Sequence, residues 1–336
     1  MSVLSKLLRT APSVQPRERL KELTDFGSNP GHTRMFAYVP QKLARNPALV
    51  IALHGYSQSA AIYDRGSGWS SLADELGFLV VYPEQQRASS PEGCFSWFVP
   101  GNVERDRGEA LSIRQVVEYV VGRFGVDRHS VFVTGFCAGG SMASAMLAIY
   151  PDVFRGGAII AGLPYGCATT VAEAFESMFG TRSTSRLGDC VRTASRYTGP
   201  WPKISVWHGT EDTIVKPSNA DDIVQQWVEA HGLKQEPDYV QCIDHHLRGV
   251  WENADGEPII EAYTISGMGH GVPISLRPDP ESCGAEAPYF IPVGLSASRR
   301  IAQFWGLSEA AEKPPAATRS QAPLSPRLDV LEKLPA

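Results

Sequence analysis

The 336-residue chain has no apolar run long enough to cross a bilayer as a helix, so no membrane-spanning helix is expected within it. It has no basic stripe either. Thirty-one lysines and arginines stand against 36 aspartates and glutamates, scattered rather than blocked, for a formal charge of -5. Without an electrostatic footprint for polyanions, neither nucleic acid nor a membrane surface is expected as a partner. The opening Met1-Ser2-Val3-Leu4-Ser5-Lys6-Leu7-Leu8-Arg9-Thr10 is basic but lacks the unbroken apolar stretch of a secretory signal, so the cytoplasm is the expected compartment. The six cysteines, Cys94, Cys137, Cys167, Cys190, Cys242 and Cys283, include no C-x-x-C pair. That excludes a zinc ribbon and a thioredoxin-type redox motif and fits a reduced interior. Internal repeats are absent. What remains is a chain with 43% hydrophobic residues, enough for a sizeable globular core.

Strand-length apolar runs occur at 34–39, 48–53, 78–82, 130–134, 157–161, 204–207 and 259–265, mostly continuous rather than alternating, as in strands covered on both faces. Helical patterns lie between them at 69–76, 110–124, 138–149 and 219–231. The second is the clearest, with Leu111, Ile113, Val116, Val117, Val120 and Val121 on one stripe and Arg114, Glu118 and Arg123 opposite. Alternation of this kind predicts an α/β fold with a mostly parallel central sheet flanked by helices. Residues 1–30 read as a partly disordered lead-in or a short docking helix. A single domain is expected over 31–307, ending in a helix at 297–306, with 164–202 placed as a lid or substrate-shaping insertion. The Pro- and Ala-rich 308–336 reads as a disordered tail.

The chemistry concentrates in Val131-Phe132-Val133-Thr134-Gly135-Phe136-Cys137-Ala138-Gly139-Gly140. This pattern, GxCxG, reads as a strand turning sharply into a helix with a nucleophile at the apex. The flanking glycines relieve crowding, and the apical side chain stands above the sheet. Three further loops follow the order such a hydrolase needs. His54-Gly55-Tyr56-Ser57-Gln58 follows the strand at 48–53 and is placed to give the Tyr56 amide to an oxyanion hole, with Ala138 supplying the second amide. His54 itself reads as a hydrogen-bonded support. His208-Gly209-Thr210-Glu211-Asp212 puts an acid past a strand end, Asp212 by preference and Glu211 as its rival. Ser266-Gly267-Met268-Gly269-His270-Gly271 presents His270 as the base. Asp244, His245 and His246 invite a metal reading, but no third ligand is suitably spaced, and adjacent histidines on a strand would face opposite ways. Trp97, Phe98, Tyr165 and Trp207 are candidates to line an acyl or aromatic pocket, the first two most strongly.

Together with Leu53-His54-Gly55, Tyr82-Pro83-Glu84-Gln85-Gln86, the 94–98 segment, Gly108-Glu109-Ala110-Leu111-Ser112-Ile113, Gly162-Leu163-Pro164-Tyr165-Gly166-Cys167, Trp207-His208-Gly209 and Gly267-Met268-Gly269-His270, the chain resembles the polyhydroxybutyrate depolymerase-type esterases, relatives of feruloyl and acetylxylan esterases. The resemblance covers about 30–307. It implies an α/β-hydrolase fold, ester hydrolysis without a cofactor, and a triad at Cys137, Asp212 and His270. Two departures stand out. The family typically has serine at the position of Cys137, and commonly cysteine at that of Tyr56, which bears on the pairing of Cys94 or another cysteine. Exported depolymerases of this type also tend to carry a signal peptide and a polymer-binding domain; neither is found in the sequence.

Three accounts of Cys137 compete. As a natural nucleophile it would resemble that of the dienelactone hydrolases. At a helix N-terminus beside a histidine, a thiolate–imidazolium pair is then expected, and the acyl-enzyme would be a thioester open to water, amines or thiols. The substrate would be a small-molecule or carrier-bound acyl ester or thioester, and acyl transfer would join hydrolysis as an outcome. Alternatively the cysteine is a serine replacement that traps an acyl intermediate, or a small buried hydrophobe in a degenerate enzyme. The retained acid, base, glycines and oxyanion loop rank the last account lowest. From a different class, the same fold would serve as a non-catalytic binding module for acyl or aromatic ligands.

Overall fold

The computed structural model describes residues 19–90, 93–180 and 187–307. In chain order the elements are β1 (Lys21–Leu23), β2 (Arg34–Tyr38), β3 (Leu49–Leu53), α1 (Ala60–Ser67), α2 (Trp69–Leu76), β4 (Leu79–Glu84), α3 (Pro100–Val103), α4 (Gly108–Phe124), β5 (Val131–Phe136), α5 (Ala138–Ile149), β6 (Gly156–Ile160), α6 (Val171–Met178), α7 (Leu187–Ser195), β7 (Lys203–Gly209), α8 (Ser218–His231), β8 (Tyr239–Ile243), β9 (His246–Glu252), β10 (Pro258–Ile265), β11 (Val272–Ile274), β12 (Phe290–Pro292) and α9 (Ala297–Phe304).

The main sheet runs β1-β2-β4-β3-β5-β6-β7-β10-β9-β8. Its centre, β4 to β10, is parallel, while β1, β2, β9 and β8 pair antiparallel at the margins. This is the α/β-hydrolase architecture, a mostly parallel sheet flanked by helices. Continuous apolar strands follow from coverage on both faces. Leu49, Ile51 and Leu53 of β3 enter one core with α4, α5 and α8, whereas Val50 and Ala52 enter a second core with α1, α2 and α9. On α4 the buried stripe is Ala110, Ile113, Val116, Val117, Val120 and Val121, with Leu111 half-buried at its edge. Trp305 seals the second core, stacked on Phe132 at 4.7 Å and on Trp69 at 5.7 Å.

Three differences from the sequence reading have physical causes. The lead-in docks by a strand, since β1 pairs with β2 and Arg34 forms a 2.8 Å ion pair with Glu22 across that register; residues 1–18 lie outside the described residues. Beyond α8 the sheet extends by the β8–β9 hairpin. There Asp244 and His245 form the turn at positive φ instead of lying on a strand, and His246 begins β9. The 164–202 segment contributes α6 and α7, with 181–186 outside the described residues. The proposed 308–336 tail lies outside them as well.

Candidate active site

Cys137 is the pivot between β5 and α5. Its backbone is held at φ 55° and ψ -119°, a strained conformation that aims the side chain out of the sheet. Sequence explains how the turn can be so tight. A Cβ on Gly135 would lie 2.2 Å from the Gly139 carbonyl oxygen, and one on Gly139 would lie 2.2 Å from that of Leu53. The apex is tied down by Cys137 N–H donating to Ile160 O at 2.9 Å, while Ser141 Oγ receives the Leu163 amide at 3.0 Å. Ala138 opens α5, so its amide belongs to the first turn, where no helical carbonyl is available.

The loops that carry Asp212 and His270 are laced together. Thr210 N–H donates to Ile265 O and Glu211 N–H to Met268 O, both at 3.0 Å, and Gly267 N–H reaches Thr210 Oγ1 at 2.9 Å. This fixes Asp212 against His270, whose Nδ1 donates to Asp212 Oδ2 at 2.7 Å. Glu211, the rival acid, faces solvent and holds the loop through its amide. The other Asp212 oxygen, Oδ1, accepts from Ile214 N and Val215 N, each at 2.9 Å.

Burial alone would raise the Asp212 pKa. Hydrogen bonds from His208 and His270 outweigh it and hold the carboxyl well below the usual range. For His270, burial pulls downward, but hydrogen bonds to Asp212 and to Cys137 push the imidazole up to about 9. Asp212 and His270 are thus hydrogen-bonded to each other, and Cys137 is the third group that acts on the imidazole.

His54 stands beneath the oxyanion loop in one tautomer. Its Nδ1–H donates to Gly55 O at 2.8 Å, and Nε2 accepts from Gln85 N at 3.1 Å. Complete burial lowers its pKa to about 4, as befits a neutral support. Gln58 Oε1 caps Gly55 N at 2.9 Å and shapes the turn that carries Tyr56.

The candidate pocket residues divide. Trp97 and Phe98 meet edge-to-face at 5.3 Å and pack against a small cluster of Leu163, Cys167, Ala168, Ala174 and Val215, beside the acid loop. Tyr165 packs half-buried against the core, its backbone paired with the Gln226 side chain on α8. Trp207 is core, not pocket. It is fully buried, stacked on Tyr263 at 3.7 Å, and donates from Nε1 to Ser205 Oγ at 2.7 Å. Strand alternation sends Trp207 to one face of β7 and its neighbour His208 to the other, toward Asp212.

Two site features escaped the sequence reading. His208 Nε2 lies 3.2 Å from Asp212 Oδ2 and 2.9 Å from Val215 O; its position four residues before the acid was the available signal. Tyr289 comes from an irregular stretch with no periodicity, and its ring sits 6.1 Å from that of His270 and 5.9 Å from Phe136. It forms one wall of a cleft of about 410 Å³ with Tyr56, Ser57, Gln58, Ile62, Arg65, Ala287 and Pro288. His246 and its neighbours make no metal centre. His246 Nδ1 accepts from Ser266 N, and no group of three or more metal-ligating side chains occurs among the described residues.

With this geometry in place, the comparisons become specific. The profile of the family described as Esterase PHB depolymerase matches residues 35–238. The chain belongs to that family. It is 43% identical over 291 residues to poly(3-hydroxyalkanoate) depolymerase C of Paucimonas lemoignei, covering 86% of this chain and 70% of the relative. It is 33% identical over 273 residues to an acetylxylan esterase of Coprinopsis cinerea, covering 79% of this chain and 72% of that one. Among solved structures, an acetyl xylan esterase from Aspergillus awamori shares the fold with a TM-score of 0.72 at 24% identity, over 86% of this chain and 99% of the other. The chain is therefore an esterase-type α/β-hydrolase.

Proposed function

We propose that this chain hydrolyses carboxylic esters of the short hydroxyalkanoate type, with Cys137 as nucleophile, His270 as base and Asp212 as acid. The carrying observation is the array itself. His270 is hydrogen-bonded to Asp212 at 2.7 Å, and Cys137, at the apex of the strained turn, is close enough to the imidazole to help raise its pKa. In the reaction His270 takes the thiol proton, and the sulfur attacks the ester carbonyl carbon. The tetrahedral oxyanion is held by the amides of Tyr56 and Ala138. Its collapse breaks the C–O bond, and His270 returns the proton to the leaving alcohol. Water then attacks the thioester, again with His270 as base, releasing the acid and restoring the thiol. Each oxyanion amide contributes about 3 kcal/mol in sites of this type. Names carried by the relatives, a poly(3-hydroxyalkanoate) depolymerase and an acetylxylan esterase, support the ester class.

Intact-protein mass spectrometry with activated esters and thioesters tests this reading, run beside Cys137→Ser and Cys137→Ala. A transient acyl adduct in the wild type, absent from Cys137→Ala, is expected. An adduct that accumulates while Cys137→Ser turns over would recast the cysteine as a trap in a serine-type site. No adduct, with Cys137 inert to iodoacetamide, would leave only a binding module. The thiols of Cys137, Cys190, Cys242 and Cys283 fit a reducing compartment, and we take the cytoplasm as the site of action; cell fractionation is the check.

A further inference from the structure

The cleft beside His270 carries a chemistry the triad does not use. Its volume, about 410 Å³, is that of a small-ligand site, and its position ties it to the reaction. Tyr56 belongs to the oxyanion loop, and Tyr289 borders the base. The walls are apolar and unusually open, with Tyr56 52%, Ile62 44% and Tyr289 46% exposed. Ile62 and Arg65, three residues apart, share one face of α1. That helix is fixed by Ala60 N–H donating to Glu84 Oε2 at 2.7 Å and by the buried Asp64, which receives Tyr82 OH at 2.6 Å.

Arg65 is the charged member of this wall, and among the described residues no carboxylate ion-pairs with it. Neighbouring arginines are committed. Arg34 is paired with Glu22 and Glu84, Arg299 with Glu75, and Arg87 donates to Ser57 Oγ. The cleft holds a second idle donor. Gln58 Nε2 is buried with no hydrogen-bond partner, while its Oε1 is taken by Gly55 N. An apolar trough that starts at an oxyanion loop, offers one amide donor along its length and carries one guanidinium suits a particular ligand. That ligand is mostly apolar, contains polar carbonyls and ends in a planar anion.

We propose that this cleft binds the carboxyl-terminal end of a soluble oligoester, with Arg65 pairing its free carboxylate and Gln58 Nε2 donating to an internal ester carbonyl. This rests on the ester-hydrolase reading above and names the substrate within it. Hydrolysis of any polyester leaves one new carboxylate on a fragment at each cleavage, so the soluble fragments carry the group that Arg65 would meet. The enzyme then stands after a reaction that cuts a polyester into short pieces. Water adds across the ester bond held at the oxyanion loop, one ester inward from the carboxylate end, giving a shortened acid and a two-unit hydroxy acid that keeps the terminal carboxylate.

The test compares a 3-hydroxybutyrate trimer with a free carboxylate against the same trimer capped as a methylamide, with p-nitrophenyl acetate as a small neutral reference. For the wild type, KM should be about tenfold lower for the free acid, and added NaCl should narrow the gap. Arg65→Gln should erase the difference with p-nitrophenyl acetate turnover unchanged, and Arg65→Lys should restore part of it. Equal wild-type KM values for acid and amide, or equal losses on both in Arg65→Gln, would overturn the carboxylate site with the hydrolase reading intact. A wild type that turns over none of the three esters would overturn that reading itself, and the proposal with it.

Discussion

His208 Nε2 lies 3.2 Å from Asp212 Oδ2, the same oxygen that accepts the hydrogen bond from His270 Nδ1. Because Val215 O, 2.9 Å away, can only accept, Nε2 carries the hydrogen and points into the gap between the carbonyl and the carboxylate. Asp212 is thus gripped by a second imidazole and by two backbone amides on Oδ1. Replacing His208 by Phe should let Asp212 rotate. We expect kcat to fall by roughly tenfold with KM for a short ester unchanged, the loss of one hydrogen bond to a charged group. A change in KM alone, measured by steady-state kinetics on p-nitrophenyl acetate, would show that His208 does not act through the acid.

Asp212→Asn removes the charge that supports the imidazolium and permits the wrong tautomer, so kcat should drop by a factor on the order of 10⁴. The pH dependence of stability follows from the same carboxyl. Its folded-state pKa is depressed, so its contribution is present above the unfolded value of about 3.9 and is lost as pH falls through the folded one. Acid unfolding monitored by circular dichroism should therefore be shallower in Asp212→Asn than in the wild type. An unchanged acid limb would show that the carboxyl gains nothing from its partners.

The sequence made these three residues legible because each sits in a short, chemically distinctive loop whose glycines report the backbone directly. Gly135 and Gly139 mark the contact of α5 with β3, and Gly209 packs against the His270 loop, where a Cβ would lie 2.1 Å from Met268 O. The central strands were legible for a different reason, since burial on both faces writes continuous apolar runs. Marginal strands were not. β8 and β1 are half-exposed and short, and their composition does not separate them from loop. Trp207 was misplaced because the motif gives position but not parity; only the strand register decides that Trp207 enters the core and His208 the site. Tyr289 and the cleft depend on a non-periodic segment folded back across α1, where a Cβ on Gly66 would strike the Phe290 ring, and no local pattern encodes that approach.

His270 offers a spectroscopic check. Its pKa of about 9 is reached against the effect of burial, with hydrogen bonds to Asp212 and Cys137 supplying the rise. Since the folded value exceeds the unfolded one near 6.5, the stability it contributes is full below about pH 6.5 and is lost as pH rises through about 9. Cys137→Ala removes one of the raising partners, so the imidazole midpoint followed by NMR should move down from about 9. A midpoint that stays in place would mean that the thiol and imidazole do not interact.

Glu109 carries the last prediction, because its buried carboxyl ties the 94–98 segment to the first turn of α4. Both of its oxygens face the Ser96 amide, at 3.0 and 3.2 Å, next to Trp97 and Phe98. Burial pushes its pKa up to about 7, and hydrogen bonds from Ser96 and Gln85 offset only part of that rise. A raised folded-state pKa means stability that is complete below the unfolded value of about 4.3 and lost as pH climbs through about 7. A rise of this size amounts to about 3 kcal/mol at alkaline pH. Glu109→Gln keeps the shape and an acceptor for Ser96 N–H but cannot ionise. Chemical denaturation at pH 5 and pH 9 should show the wild type losing stability between the two, and the variant losing about 3 kcal/mol less. Parallel losses in both proteins would show that Glu109 ionises inside the fold without penalty, and that the 94–98 segment is held by other means.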